Sequence, residues 1–189
     1  MMTQIRVHGR GGQGVVTAAE LIALAAFQDG LYAQAFPSFG VERSGAPIQA
    51  FARLSKEPII TREQVYRPDV LIIQDESLLS EPEILDGVSA TTILIINSEE
   101  SPTIISNKIR KKISAANIAC SPATAIALRL LGKNLVNTVI LGTFTHSTNL
   151  ITIKSLVAAI NKKFQSKGQA IIEKNKAAVF EAYQYANKE

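Results

Sequence analysis

Ile5-Arg6-Val7-His8-Gly9-Arg10-Gly11-Gly12-Gln13-Gly14, running straight into Val15-Val16-Thr17-Ala18-Ala19-Glu20-Leu21, decides how the chain begins to fold. Ile5 and Val7 alternate with polar neighbours, the pattern of a short strand. Glycines occupy positions 9, 11, 12 and 14, and an alanine-rich apolar run that reads as a helix follows at once. Strand, glycine turn and helix gather backbone N–H groups at one spot. The first N–H groups of a helix lack partners within it and the peptide dipoles add there, so the spot attracts anions. Gly9, Gly11 and Gly14 also satisfy the G-x-G-x-x-G spacing of a dinucleotide site.

A dinucleotide site further requires an acid about 20 residues on, at the end of the second strand, to hold the ribose. The next extended run, Leu31-Tyr32-Ala33-Gln34-Ala35-Phe36, ends in Pro37-Ser38 with no Asp or Glu, and Asp29 sits at its wrong end. Arg10 leaves a 2′-phosphate open. The residues alone therefore leave three readings: a dinucleotide, another phosphate-bearing ligand or subunit contact, or a tight turn that binds nothing.

The rest of the composition narrows the field. A chain of 189 residues fits one domain over positions 1–189 with a real core. The net charge of +4 comes without a basic stripe interleaved with aromatics, so no nucleic-acid partner is expected. No apolar stretch has the length of a membrane span and no signal peptide is visible, which makes the cytoplasm the expected compartment. Cys120 is the single cysteine, so neither an internal disulfide nor a self-contained iron–sulfur cluster is expected. His8 and His146 stand in no zinc spacing, and no metal site is expected. His8, beside the glycine turn, either lines a site or bonds to the turn backbone.

Along the chain, Val15 to Gln28 reads as a helix ended by Asp29-Gly30. Tyr32 to Phe36 reads as a strand. Phe36 to Pro47, with two prolines and two glycines, admits no regular element yet carries Phe36, Phe39 and the Glu42–Arg43 pair. Either a partner covers these side chains or the loop folds over its own sheet. Ile48 to Leu54 alternates as a strand with Gln49, Phe51 and Arg53 on a polar-tolerant face, and Ile59-Ile60 reads as a short return. Val70-Leu71-Ile72-Ile73 and Thr92-Ile93-Leu94-Ile95-Ile96-Asn97 are runs typical of buried parallel strands. Gln74-Asp75-Glu76-Ser77 follows the first of them, where ligand groups are usually presented, although Asp75 or Ser77 serves equally as a cap. Lys108 to Ala115 fits a helix loosely. Ser121 reads as the cap of a helix with Pro122 at its first position, Asn137 to Phe144 as a closely packed buried helix, and Thr152 as the cap of a helix through Phe164. A last helix is expected from about Gln169 to Tyr185. Alternating strands and helices predict an α/β fold: a Rossmann-like, mostly parallel sheet with helices on both faces.

Gly9-Arg10-Gly11-Gly12-Gln13-Gly14-Val15-Val16-Thr17-Ala18-Ala19-Glu20, together with Tyr32-Ala33-Gln34-Ala35-Phe36-Pro37-Ser38-Phe39-Gly40-Val41-Glu42-Arg43, resembles the gamma subunits of the 2-oxoacid:ferredoxin oxidoreductase family in its pyruvate synthase branch. The resemblance continues through Gly45-Ala46-Pro47, Pro68-Asp69-Val70 and Asn137-Thr138-Val139-Ile140-Leu141-Gly142. Ser44 departs from it, standing where relatives often carry a second Arg. The Phe-Pro-Ser-Phe-Gly form is closer to the pyruvate and 2-oxoisovalerate branches than to the 2-oxoglutarate branch.

The resemblance implies a complex of alpha, beta, gamma and delta type subunits. Such a complex decarboxylates a 2-oxoacid on thiamine diphosphate with Mg2+, passes electrons through iron–sulfur clusters to ferredoxin, and forms an acyl-CoA. This sequence has one cysteine and no Gly-Asp-Gly run, so both cofactors are expected on partners and no catalytic residue on this chain alone. What remains for it is to complete the site or assist CoA. Gly9, Arg10, Gly11, Gly12, Gln13 and Gly14 are the expected anion or CoA-phosphate site, with Arg10 projecting from the turn to reinforce it. Phe36, Pro37, Ser38, Phe39, Glu42 and Arg43 are the expected subunit-facing loop.

Overall fold

The computed structural model describes residues 2–38, 45–110 and 112–186. Phe39, Glu42 and Arg43 of the expected subunit-facing loop lie outside the described residues.

Strand β1 (Met2–Arg10) runs into the glycine turn and helix α1 (Val15–Gln28), as the opening stretch predicts. Strands β2 (Tyr32–Pro37) and β3 (Pro47–Ser55) follow, then β4 (Val70–Ile73) and β5 (Ile93–Asn97). Helix α2 (Pro102–Lys108), strand β6 (Ile118–Ser121), and helices α3 (Ala123–Leu131), α4 (Val136–Thr148), α5 (Ile153–Phe164) and α6 (Gln169–Ala186) complete the chain. The strands form one six-stranded sheet in the order β2-β3-β1-β4-β5-β6. From β1 to β6 it is parallel, with Ile5 opposite Val70, Val70 opposite Ile93, and Leu94 opposite Ile118. On its other flank β1 pairs antiparallel with β3, and β3 with β2. The mostly parallel α/β sheet is therefore as expected.

The hairpin corrects one inference. The ribose-binding acid was sought at the end of β2, but β2 is a margin strand separated from β1 by β3. The parallel neighbour of β1 is β4, and an acid does follow it, at Asp75.

Side chains alternate across the sheet, so each strand feeds two cores. Ile5, Val7, Ala50, Ala52, Ile72 and Ile95 point toward α1, α3, α4, α5 and α6. Helix α4 lies deepest, its residues 136–145 all buried. It comes so close to α6 that a Cβ on Gly142 would stand 2.2 Å from the Val179 carbonyl oxygen, which is why the position takes glycine. Leu71, Ile73, Leu94 and Ile96 point the other way, toward α2 and the 3-10 turns Glu76–Ser80 and Pro82–Leu85.

Several local expectations are altered. Phe51 and Arg53, read as a polar-tolerant face, are each only 1 % exposed, because the segment around residues 63–66 folds over them. Ile59-Ile60 forms no strand, and Ile60 is 90 % exposed. Lys108 to Ala115, loosely expected as a helix, is not one: α2, capped by Ser101, ends at Lys108, and turns and bends follow it up to a 3-10 turn at Ala115. Helix α3 starts after Pro122 without a side-chain cap of its own; Asn97 Oδ1 accepts instead from the Thr124 N–H at 3.0 Å. Thr152 caps α5 as expected, accepting from the Ser155 N–H.

Candidate functional site

The glycine turn lies at the carboxyl edge of the parallel strands. Gly14 adopts φ 73°, a left-handed conformation, and leads into α1 with no side-chain cap. The first N–H groups of that helix are thus left to whatever approaches. A Cβ on Gly14 would meet the Asn137 amide at 2.6 Å, and one on Gly9 would meet Val15 Cγ2 at 2.6 Å, so close packing as well as conformation demands glycine here. Gly12, at φ 94°, faces open space, where conformation alone sets the requirement.

The turn is clasped from both sides. The Gly11 N–H donates to the Ala46 carbonyl at 2.9 Å, and the Gly45 N–H donates back to Gly11 at 3.2 Å. Gln13 folds inward: its Oε1 accepts from the Arg10 N–H at 2.7 Å, and its Nε2 donates to Asp75 at 3.2 Å. Arg10 does not project freely. Its Nε lies 3.3 Å from Asp75 Oδ2, and its terminal nitrogens donate to the Gly45 carbonyl at 3.2 Å and Ser77 Oγ at 2.8 Å. In the structure Arg10 therefore braces the turn and its neighbours. Burial pushes the Asp75 carboxyl up, but hydrogen bonds from Ser77 and Gln13 and the Arg10 charge outweigh it and hold the group below the usual carboxylate range. Asp75 also accepts from the Ser77 N–H at 3.1 Å, so the capping role read for it is real.

Gln74, from the stretch expected to present ligand groups, and two residues not singled out before, Asn97 and Asn137, belong to this end of the sheet. Gln74 follows β4, is fully buried, and has no hydrogen-bond partner for either amide atom among the described residues. Asn97 ends β5, and its Nδ2 donates to the Gln74 carbonyl at 2.9 Å and Thr124 Oγ1 at 2.8 Å. Asn137 opens α4 against Gly14. For Gln74 and Asn97 the sequence signal was there: a carboxamide directly after an apolar strand run.

On the opposite face of the sheet, Arg6, His8, Gln49 and Phe51 floor a cavity of about 580 Å³. Arg6 donates to the Val65, Ile84 and Asp86 carbonyls at 3.4, 3.0 and 2.7 Å. His8 is 6 % exposed with Nε2 unpartnered among the described residues. Burial, then the Arg6 charge, lower its pKa to about 3, so the imidazole is neutral at physiological pH. Neither expectation for His8 is met in full: it faces this cavity and makes no bond to the turn. Phe36 packs on Phe51 with ring centroids 5.2 Å apart and lies beneath the Arg53 guanidinium at 5.1 Å. Pro37 pairs with Ala50 across the hairpin, and Ser38 donates its N–H to Gln49 at 3.0 Å. The described part of the loop is thus laid on its own sheet.

Among the described residues no group of three or more metal-ligating side chains is brought together, and no helix is long and apolar enough to cross a membrane. Cys120 is buried within β6.

A family model described as pyruvate ferredoxin/flavodoxin oxidoreductase matches residues 4–185. The "Pyruvate/ketoisovalerate oxidoreductases common subunit gamma" of Thermococcus kodakarensis is 44 % identical over 182 residues, covering 96 % of each chain. The pyruvate synthase subunit PorC of Methanosarcina barkeri is 47 % identical over 159 residues, covering 84 % of this chain and 85 % of its own. The crystal structure of the pyruvate oxidoreductase subunit PORC of Thermotoga maritima superposes with a TM-score of 0.83 at 35 % identity, over 97 % of this chain and 96 % of that one. A 2-oxoglutarate:ferredoxin oxidoreductase from Magnetococcus marinus shares the fold with a TM-score of 0.79 at 21 % identity, this chain matching 31 % of its length.

Proposed function

Because the chain belongs to the pyruvate ferredoxin/flavodoxin oxidoreductase family, as a gamma subunit of such a multi-subunit complex, we propose that its 2-oxoacid is pyruvate and that it assists CoA. In this reading residues 1–189 form one gamma-type domain. The complex converts pyruvate and CoA to acetyl-CoA and CO2 and reduces ferredoxin in the cytoplasm. Thiamine diphosphate, Mg2+ and the iron–sulfur clusters reside on alpha, beta and delta type partners. The observation that carries the division of labour is the single cysteine: one side chain, buried within β6, cannot supply the four ligands a cluster needs.

The glycine turn supports the CoA role. An uncapped helix start behind Gly14 suits an anion, and Gly12, which faces open space, leaves the backbone approachable there. Since Arg10 is occupied by Asp75, Ser77 and Gly45, its part is to hold the turn in the shape that presents those N–H groups. Phe36, Pro37 and Ser38 anchor the near end of the subunit-facing loop, which continues through Phe39, Glu42 and Arg43.

Reconstitution tests this reading. Partner subunits lacking this chain should fail to reduce a viologen dye with pyruvate and CoA, and adding it back should restore turnover. Full activity without it, or turnover by this chain alone, would overturn the proposal. A second reading rests on the relatives' names: subunits called common to pyruvate and ketoisovalerate oxidoreductases favour a gamma subunit that also serves a branched-chain complex. Co-purification of two distinct sets of partners would distinguish it.

A further inference from the structure

The helical side of the glycine turn opens into a second cleft, of about 380 Å³, whose chemistry differs from that of the Arg10 side. Gly14 and Thr17, from the first turn of α1, form part of its lining. Lys133 ahead of α4, Lys167 between α5 and α6, and Lys174 on α6 line it too, and no carboxylate does among the described residues. None of these three ammonium groups is paired with a carboxylate among the described residues. By contrast, on the other side of the turn the Arg10 guanidinium is already paired with the Asp75 carboxylate.

Two further features point to a ligand. Asn137 lines the cleft at only 8 % exposure, and its amide has no hydrogen bond among the described residues. Its amide atoms are not sealed from solvent, so they are free to meet a ligand in the cleft. The remaining wall is apolar, made of Leu131, Leu135, Phe164 and Ile171, with Leu135 and Ile171 left 40 % and 42 % exposed. Cations and an open helix start suit phosphate, while the apolar wall suits a flat ring.

We propose that this cleft binds a phosphorylated nucleoside, phosphates toward the α1 start, Lys133 and Lys174, base toward Leu135 and Ile171, with Lys167 held over the Phe164 ring at 6.0 Å. Asn137 supplies a hydrogen-bond donor and acceptor between the two halves. That chemistry is offered either by the nucleotide end of CoA or by a free nucleotide. Only the CoA source rests on the function proposed above.

Calorimetry on the purified full chain at low salt tests the site with ADP, adenosine, pyrophosphate and CoA. ADP should bind, with adenosine and pyrophosphate each weaker by about tenfold or more, since each engages only half the cleft. The pair Lys133→Glu and Lys174→Glu should weaken ADP by at least about tenfold with an unchanged circular dichroism spectrum. The milder Lys→Gln pair should fall between. Competition by CoA assigns the site to its nucleotide end; ADP binding without such competition assigns it to a free nucleotide. The proposal is overturned if ADP does not bind at about 1 mM, if pyrophosphate binds as tightly as ADP, or if the lysine variants bind normally. It also fails if Arg10→Ala abolishes ADP binding while the lysine variants retain it. Loss of CoA-dependent turnover in the reconstituted complex with nucleotide binding intact would count against the CoA role alone.

Discussion

The two faces of the sheet are closed by different means. Over one, five helices bury Ile5, Val7, Ile72, Ile95 and their neighbours in a continuous apolar core. Over the other, at β1 and β3, the cover is the segment around residues 63–66 and the 3-10 turn Pro82–Leu85, which supply backbone carbonyls as well as the buried Val65 and Ile84. Arg6 is held by the carbonyls of Val65, Ile84 and Asp86, and Arg53 by those of Glu63 and Gln64. A guanidinium has five donors in a rigid fork, so one buried side chain can pin several strands of loop that could not form a core themselves. The first face is sealed by shape and the second is latched by hydrogen bonds. The latch leaves the cavity over His8 beside it.

The sharpest break should come on the sealed face. Gly142→Leu would drive side-chain atoms into the α6 backbone, where even a Cβ has only 2.2 Å. The expected cost is about 3 kcal/mol or more of global stability, read as a lowered denaturant midpoint. On the latched face, Arg6→Met keeps the apolar stem but strands three carbonyls, for about 2 kcal/mol. Its signature should be local: faster amide exchange in residues 63–67 and 82–87 with the strands still protected. Equal loss of protection in α4 would erase the distinction between the faces.

pH offers a finer probe. The folded-state pKa of His8, about 3, lies below its ordinary value near 6.5. Between those limits the unfolded chain binds a proton that the folded one refuses, so the stabilisation present above pH 6.5 declines as the pH falls. The slope should approach about 1.4 kcal/mol per pH unit from this residue. The lowered carboxylates Asp29, Asp75 and Glu76 add their own acid sensitivity only below the ordinary carboxylate range. His8→Gln should flatten stability between pH 6.5 and 4.5, as urea titrations at a series of pH values would register. The smallest effect is expected at the turn, where Arg10→Ala removes a partly exposed ion pair, for about 1 kcal/mol or less. Within the reconstituted complex the same change should raise the CoA concentration needed, by loosening the turn, while pyruvate-dependent electron transfer without CoA stays near normal. An unchanged CoA requirement would leave Arg10 a brace with no bearing on the ligand.

The contrast between the faces also explains what the sequence disclosed. The sealed face writes itself in runs and periods: Val70 to Ile73, Ile93 to Ile96, and the buried α4 with Gly142 were all readable, because apolar burial leaves a pattern along the chain. So was the strand–turn–helix at Gly9 to Gly14. The latched face leaves none. Arg53 reads only as part of a polar-tolerant face, since its partners are main-chain carbonyls that any residue could supply. Arg10 looked free for the same kind of reason: Asp75 and Ser77 are distant in sequence and come near only because β4 lies beside β1. The hairpin pairing of β2 was hidden too, because a strand following a βα unit reads alike whether it returns parallel or stands at the margin. Asn137 reads in the sequence only as the start of a buried helix, because Gly14, which it packs against, is distant along the chain.

Strand β2 carries one more implication. It lies at the end of the sheet, and its sequence, Tyr-Ala-Gln-Ala-Phe-Pro, holds no charge along the side where no strand is paired. Natural sheets usually guard such an edge with lysines or an early proline; here the only proline comes last. The unguarded main chain is a template for any extended segment that reaches it, including another copy of itself. The isolated chain is therefore open to edge-to-edge association at β2.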